Sequence, residues 1–418
     1  VAYARRPDAG RLNGSASAET VLNDAIPEIL FDENVVLDEA RRRAGLEDFG
    51  NDDFLDPMRR LLRSLEEEAG LHALGRVTMF ERIVGSLVGR LSAQDYFVRH
   101  PEILDEVIVA PTVIVGLART GSTMMHRLLS ADPDVYAVRW WECRAPCPYP
   151  GSDWRHTDPR IPDAYAEIEA ILEAAPELAT IHPWDAEGPD EEIMLLEHAF
   201  LSGVPDAFCN VPSYRRFVIE SDCRSGYAYM KKMIQFLQWQ KKQSGRPAER
   251  WVLKAPFHVG RIPQVCEIFP DAMFVQTHRD PIETAPSIAS LYTSTWRTTS
   301  ERIDPHVVGE QCLDLWSWGI SKCLADRDAG FEDRFVDVLY EETRRDPMAS
   351  IESIYERLGR PLTSAARESM KRWGDENRRD KRAAHDYRLE TFGYTRDAIY
   401  EAFAAYRERF IIGRAEAH

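Results

Sequence analysis

The chain has 418 residues, 44% hydrophobic and 29% charged, proportions that suit a packed globular core and exclude collagen-like, low-complexity and disordered classes. Its 52 Lys and Arg against 69 Asp and Glu give a net charge of −17, which opposes binding to nucleic acid or to anionic membranes over a broad surface, so an anionic ligand needs a local pocket. Seven scattered cysteines without CxxC pairs point to free thiols and to no metal site, and the apolar stretch from Val107 to Ala118 is well short of the about 20 residues that span a bilayer.

The opening VAYARRPDAGRLNGSASAE carries two early arginines with no apolar segment behind them, so it is not expected to act as a secretory signal, and the cytoplasm is the expected compartment. From Asp56 to about His100 the residues Leu61, Leu62 and Leu65, then Leu74, Met79, Ile83, Leu87 and Leu91, recur at helical spacing. Residues 1–108 are therefore assigned to a helical region packed on the core that follows. At PTVIVG (111–116) the pattern changes to a β-branched run closed by glycine, and STMMHRLL comes next with Met124, Met125, Leu128 and Leu129 on one helical face. That is a strand, a tight loop and a helix.

Residues 140–165, rich in Pro and Trp, have the composition of a long excursion of the kind that carries substrate contacts. Further strands are expected at WVLK (251–254), MFVQT (273–277) and FVDVL (335–339), with helical or loop-rich segments between them. Strands alternating with helices imply a parallel sheet. The expected fold is α/β, a P-loop-type three-layer arrangement with a central parallel sheet over residues 109–418, with substrate loops inserted in it.

The loop G116-L-A-R-T-G121-S-T lies where a strand hands over to a helix, the context in which backbone N–H groups and a helix N-terminus cradle an anion. Against the triphosphatase pattern GxxxxGK[ST] both glycines are present, but Ser122 stands where the lysine that reaches the β/γ-phosphates belongs. A triphosphate is disfavoured. Positive charge comes instead from Arg119, whose guanidinium can fork across two oxygens of a phosphate or sulfate. A glycine-containing turn can also be only a turn, and a second segment is needed to decide.

That segment is WVLKAPFHVGRIPQVCEIFPDAMFVQTHRDPIETAPSIASL (251–291), where another strand-to-helix transition carries Arg279 and, eight residues on, Ser287. Either Pro281 or Pro286 can open the helix, and either choice keeps Ser287 near a helix N-terminus, where hydroxyl, free N–H groups and dipole favour an anion. Together the two segments resemble the paired nucleotide-binding signatures of the sulfotransferase superfamily, and the loop GLARTGST with H385-D-Y-R-L-E-T-F-G393 is similar to a bacterial branch of long sulfotransferases. The likeness extends through Y340-E-E-T-R-R-D-P347 and covers roughly residues 110 to 395. Arg119 departs from the lysine of the cytosolic animal enzymes, whose glycine-rich adenine loop is also missing.

The resemblance implies that 3′-phosphoadenosine 5′-phosphosulfate is the co-substrate, with Arg119, Thr120, Gly121, Ser122 and Thr123 on its 5′-phosphosulfate and Arg279 and Ser287 on its 3′-phosphate. It implies transfer to a hydroxyl of a small-molecule or lipid-like acceptor, with no metal required. Arg119 and Lys254 are placed to meet charge on the leaving oxygen, although Lys254 can equally anchor a carboxylate. Two residues have family parallels as the base: Glu142 in R139-W-W-E142, beside tryptophans that would dry it, and His258 in K254-A-P-F-H258. The basic run Arg378, Arg379, Lys381, Arg382, His385 and Arg388 either closes over the nucleotide, with His385 the member the likeness favours, or is a solvated face. The competing functions are a P-loop kinase or triphosphatase and a non-catalytic nucleotide-binding protein on the same scaffold.

Overall fold

The computed structural model describes residues 29–176, 178–181, 184–377 and 388–413. Three helices come first: α1 (Glu33–Ala44), α2 (Leu55–Glu67) and α3 (Ala73–Arg99). The buried residues Met58, Leu61, Leu62 and Leu65 of α2, and Met79, Ile83, Leu87 and Leu91 of α3, form the apolar stripes that the spacing predicts. Arg90 of α3 is fully buried, bonded to the carbonyls of Phe49, Asn51 and His198 and sandwiched by the rings of Phe54 and Tyr229. A guanidinium that would be costly to bury alone thus stitches these helices to the segment around His198.

Five strands follow, β1 (Thr112–Gly116), β2 (Val135–Tyr136), β3 (Arg250–Lys254), β4 (Met273–His278) and β5 (Phe335–Leu339), in one parallel sheet of order β2-β3-β1-β4-β5. Four of them are the strands expected from the sequence. The addition is β2, two residues at the sheet edge and too short to carry a period. After β1 the helices that cover the sheet or bear the site are α4 (Ser122–Leu129), α5 (Trp140–Arg144), α6 (Arg160–Ala174), α7 (Arg224–Gln243), α8 (Pro281–Trp296), α9 (Pro305–Asp326), α10 (Tyr340–Arg345), α11 (Pro347–Arg357), α12 (Ser364–Glu376) and α13 (Ala404–Arg407).

Both faces of the sheet are covered, which is why most residues of its strands are apolar. Ile114, Val252, Val275, Val336 and Val338 pack with α4, α11 and α12 on one side. On the other, Val113, Val115, Leu253 and Phe274 pack into a cluster that takes in α7, α8 and α9 and continues into α2 and α3. The expected three-layer α/β arrangement is the observed one, and the helical region shares its core.

Much of residues 140–148 of the Pro- and Trp-rich excursion is folded down onto this core, whereas 150–157, Trp154 apart, are mostly open to solvent. Trp140, Trp141 and Trp154 are buried, and Arg160 lies over the Trp141 ring at 4.5 Å. The seven cysteines are free thiols. No helix among the described residues is long and apolar enough to cross a membrane. At the carboxyl edge of the sheet, Gly116, Lys254, His278 and Leu339 end their strands side by side, the position at which open parallel sheets hold ligands.

Candidate functional site

The loop between β1 and α4 has a shape that its sequence dictates. Gly116 has φ 132°, and a Cβ there would sit 2.5 Å from the carbonyl oxygen of Thr277; Gly121 has φ 87°, and a Cβ would meet the Tyr340 ring at 2.8 Å. Neither position admits a side chain without movement. Between them Arg119 takes φ 69°, a left-handed conformation that costs a non-glycine residue about 1–2 kcal/mol. The buried Thr120 hydroxyl donates to the carbonyl of Leu117 at 2.7 Å and lies 2.6 Å from the Thr277 hydroxyl. Thr120 therefore fixes the loop with its side chain. Ser122 and Thr123 form the first turn of α4, which no side chain among the described residues caps.

The second segment meets this loop directly. Asp280 caps α8 by accepting the N–H of Ile282 at 3.1 Å, and Pro281 takes the first helical position. Pro286 lies inside the helix, so of the two prolines it is Pro281 that opens it, and Ser287 is in the second turn. Arg119 Nε donates to Ser287 Oγ at 3.1 Å. Arg279 lies over the Tyr340 ring at 4.3 Å and is bonded to Glu283 at 2.6 and 3.1 Å. Two segments that are more than a third of the chain apart are thus in contact.

The end of β3 brings together several ionisable groups. Lys254 Nζ donates to Glu191 Oε1 at 2.5 Å; the Lys254 side chain is 1% exposed and that of Glu191 30%. Lys254 thus anchors a carboxylate that stays partly exposed. The next residue, Glu192, is buried and accepts the backbone N–H of Lys254 at 2.7 Å, while His258 Nε2 lies 2.7 Å from its other oxygen. His258 Nδ1 lies 2.7 Å from the Tyr227 hydroxyl, so both ring nitrogens are engaged inside the protein. Burial pushes the Glu192 carboxyl up, but the bonds from His258 and the Lys254 backbone outweigh it and hold it below the usual carboxylate range.

Glu142 is also buried and used. It is the third residue of α5, accepts the Arg139 N–H at 2.8 Å, and pairs through its other oxygen with Lys241 of α7. Burial pulls the Lys241 ammonium down to about 8 in spite of that partner. Both of the expected bases are thus enclosed and bonded at both ends. His385 and the basic run from Arg378 to Arg382 lie outside the described residues.

Sequence reasoning missed Glu191 as a site residue; three successive acids, Asp190, Glu191 and Glu192, ahead of an apolar run were the available signal. It also missed His126. This histidine of α4 is fully buried near Lys254, Glu192 and Asp190, and neither ring nitrogen has a hydrogen-bond partner among the described residues. Burial first and the Lys254 charge second pull it down to about 3, so it is a neutral imidazole. Tyr340, which walls Gly121 from Arg279, was legible only as part of a longer likeness.

The profile described as "Sulfotransferase family" matches residues 111–364. Two curated relatives, both named Omega-hydroxy-beta-dihydromenaquinone-9 sulfotransferase Stf3, from Mycobacterium bovis and Mycobacterium tuberculosis, are each 26% identical over 270 residues, which is 61% of this chain. The aligned stretch spans 64% of those relatives, less than two thirds of their length. Among solved structures, sulfotransferase STF1 from Mycobacterium tuberculosis is similar with a TM-score of 0.78 and 29% identity, over 90% of this chain and 98% of that one. Sulfotransferase STF9 from Mycobacterium avium is similar with a TM-score of 0.83 and 27% identity, over 92% and 98% of the two chains.

Proposed function

This chain belongs to the sulfotransferase family, and from that premise we propose that it moves a sulfuryl group from 3′-phosphoadenosine 5′-phosphosulfate to the hydroxyl of a lipid-like acceptor. The observation that carries this reading is the 3.1 Å contact between Arg119 and Ser287, which joins a loop suited to the 5′-phosphosulfate to the second turn of α8, where the Ser287 hydroxyl suits the 3′-phosphate. Arg119, Gly121, Ser122 and Thr123 take the 5′ end through guanidinium, hydroxyls and the open first turn of α4. Arg279 and Ser287 take the 3′-phosphate, which ATP lacks. The absent loop lysine weighs against a kinase.

Glu191 is the base in this reading, in place of Glu142 and His258, because it is the carboxylate of the group that stays partly exposed. As the bond from sulfur to the acceptor oxygen forms, Glu191 takes the hydroxyl proton; the bond from sulfur to the 5′-phosphate oxygen breaks, and Arg119 meets the charge left there. Lys254 orients Glu191, and His258 orients Glu192, which in turn fixes the Lys254 backbone. The products are a sulfate ester and adenosine 3′,5′-bisphosphate.

A lipid-like acceptor is supported by the curated relatives, whose name gives an omega-hydroxylated dihydromenaquinone as their substrate. The test is transfer of labelled sulfate from the donor to an omega-hydroxylated menaquinone and to short phenols. A labelled lipid ester formed by the wild type supports the reading; label on the phenol alone replaces the acceptor class, and label on neither contradicts the transfer.

A further inference from the structure

The residues on either side of Arg279 are held from behind by the last described turns of the chain. His278 Nδ1 lies 3.1 Å from the Tyr406 hydroxyl, and the Phe410 ring stacks on its imidazole with centroids 4.2 Å apart. Asp280, the residue that caps α8, receives both arms of the Arg407 guanidinium at 3.0 and 3.1 Å. Arg407 itself lies against the Tyr400 ring at 3.7 Å and is mostly enclosed. A helix with only a packing role would present apolar side chains here. This one aims two polar groups at the residues that flank Arg279.

The charge at Asp280 is the physical issue. A carboxylate immediately after a phosphate-binding arginine repels a dianion in surroundings that screen poorly. Its role as helix cap does not require the charge, since asparagine caps a helix about as well as aspartate. Arg407 offsets that carboxylate with a two-armed bond, so that of the two acids beside Arg279 only the exposed Glu283 still draws on its charge.

Resting on the donor-site reading above, we propose that Arg407 of α13 is a positioning residue for the 3′-phosphate: by neutralising Asp280 and holding the start of α8, the C-terminal helix sets the discrimination between nucleotides with and without that phosphate. The ligand it helps to select is a 3′-phosphorylated adenosine nucleotide, although no atom of Arg407 is required to touch it.

The test uses the full chain and calorimetric titration with adenosine 3′,5′-bisphosphate and with adenosine 5′-monophosphate, which lacks the 3′-phosphate. Arg407→Ala is expected to weaken the bisphosphate about tenfold, the scale of one unscreened charge at this range, and to leave the monophosphate unchanged. Adding Asp280→Asn to Arg407→Ala is expected to restore the bisphosphate. Equal losses for both nucleotides, or no restoration in the double variant, would overturn the proposal. Should Arg407→Ala not fold, Asp280→Asn alone reads the same charge: tighter bisphosphate with unchanged monophosphate supports it, and weaker bisphosphate overturns it. Wild-type protein that binds the two nucleotides equally would instead remove the donor reading, and this inference with it.

Discussion

Arg119 Nε donates to Ser287 Oγ at 3.1 Å, so the residue of the loop after β1 that carries its positive charge is bonded to the hydroxyl of a helix that begins after β4. The contact fixes how far apart the two segments proposed to bind the donor are, and so which ligand can bridge them. A lysine at Arg119 keeps the charge but loses the fork and the reach to Ser287. Arg119→Lys is expected to weaken donor binding about tenfold and to lower turnover more than that, since the same group meets the charge on the leaving oxygen. Titration with adenosine 3′,5′-bisphosphate alongside steady-state rates checks both.

Glu191 and Glu142 separate cleanly by experiment. Glu191→Gln is expected to lower kcat by about 10²- to 10⁴-fold with little change in melting temperature or in bisphosphate affinity. Glu142→Gln leaves the Lys241 ammonium buried without its counter-charge and is expected to cost about 3–5 kcal/mol of stability, with the folded fraction still turning over at low temperature. A large rate loss in a fully stable Glu142→Gln protein would return the base to that residue.

His126 holds two ring nitrogens in the interior without a partner among the described residues, at a cost of about 1–3 kcal/mol. His126→Leu is therefore expected to raise the melting temperature at neutral pH. The folded histidine, at about 3, lies below its ordinary 6.5, so the wild type binds fewer protons folded than unfolded between those values and loses stability as pH falls through that window. Leucine does not titrate, and the advantage of the variant should widen from pH 6.5 downwards. A variant less stable than wild type at all pH values would contradict this.

Asp206 shows the opposite sign. Burial pushes its carboxyl up to about 7 against the pull of Arg215, which approaches only to 3.8 Å, and neither carboxylate oxygen has a hydrogen-bond partner among the described residues. The folded protein holds this proton where the unfolded chain has lost it, so stability falls as pH rises from about 4 to about 7 and stays lower above that. Asp206→Asn is expected to be more stable than wild type at pH 8, with the difference narrowing at pH 5 and vanishing near pH 4. Thermal melts at the three pH values measure it.

Most of the fold could be read locally because four strands are short segments rich in apolar residues, largely buried, and each ends at a recognisable turn. β2 could not, since Val135 and Tyr136 gain strand geometry only by pairing with Arg250 and Trp251. The two candidate anion-binding segments were legible for the same local reason: Gly116, Gly121 and Pro281 mark their turns in the sequence. The ionisable cluster at the end of β3 was not. Lys254 and Glu191 come from segments far apart in sequence, and nothing local signals that they pair. Glu142 was singled out for the tryptophans that would dry it, and that same burial closes it onto Lys241, a residue whose position depends on how α7 packs. The direction of the environment was read correctly; what it enclosed was a long-range property.

The most direct test of the account is calorimetric titration of the wild type and Arg279→Ala with adenosine 3′,5′-bisphosphate and, separately, with ATP and magnesium. The account predicts that the bisphosphate binds far more tightly than ATP and that Arg279→Ala removes most of that preference while leaving the protein folded. Tighter binding of ATP, or a bisphosphate affinity indifferent to Arg279, would contradict it.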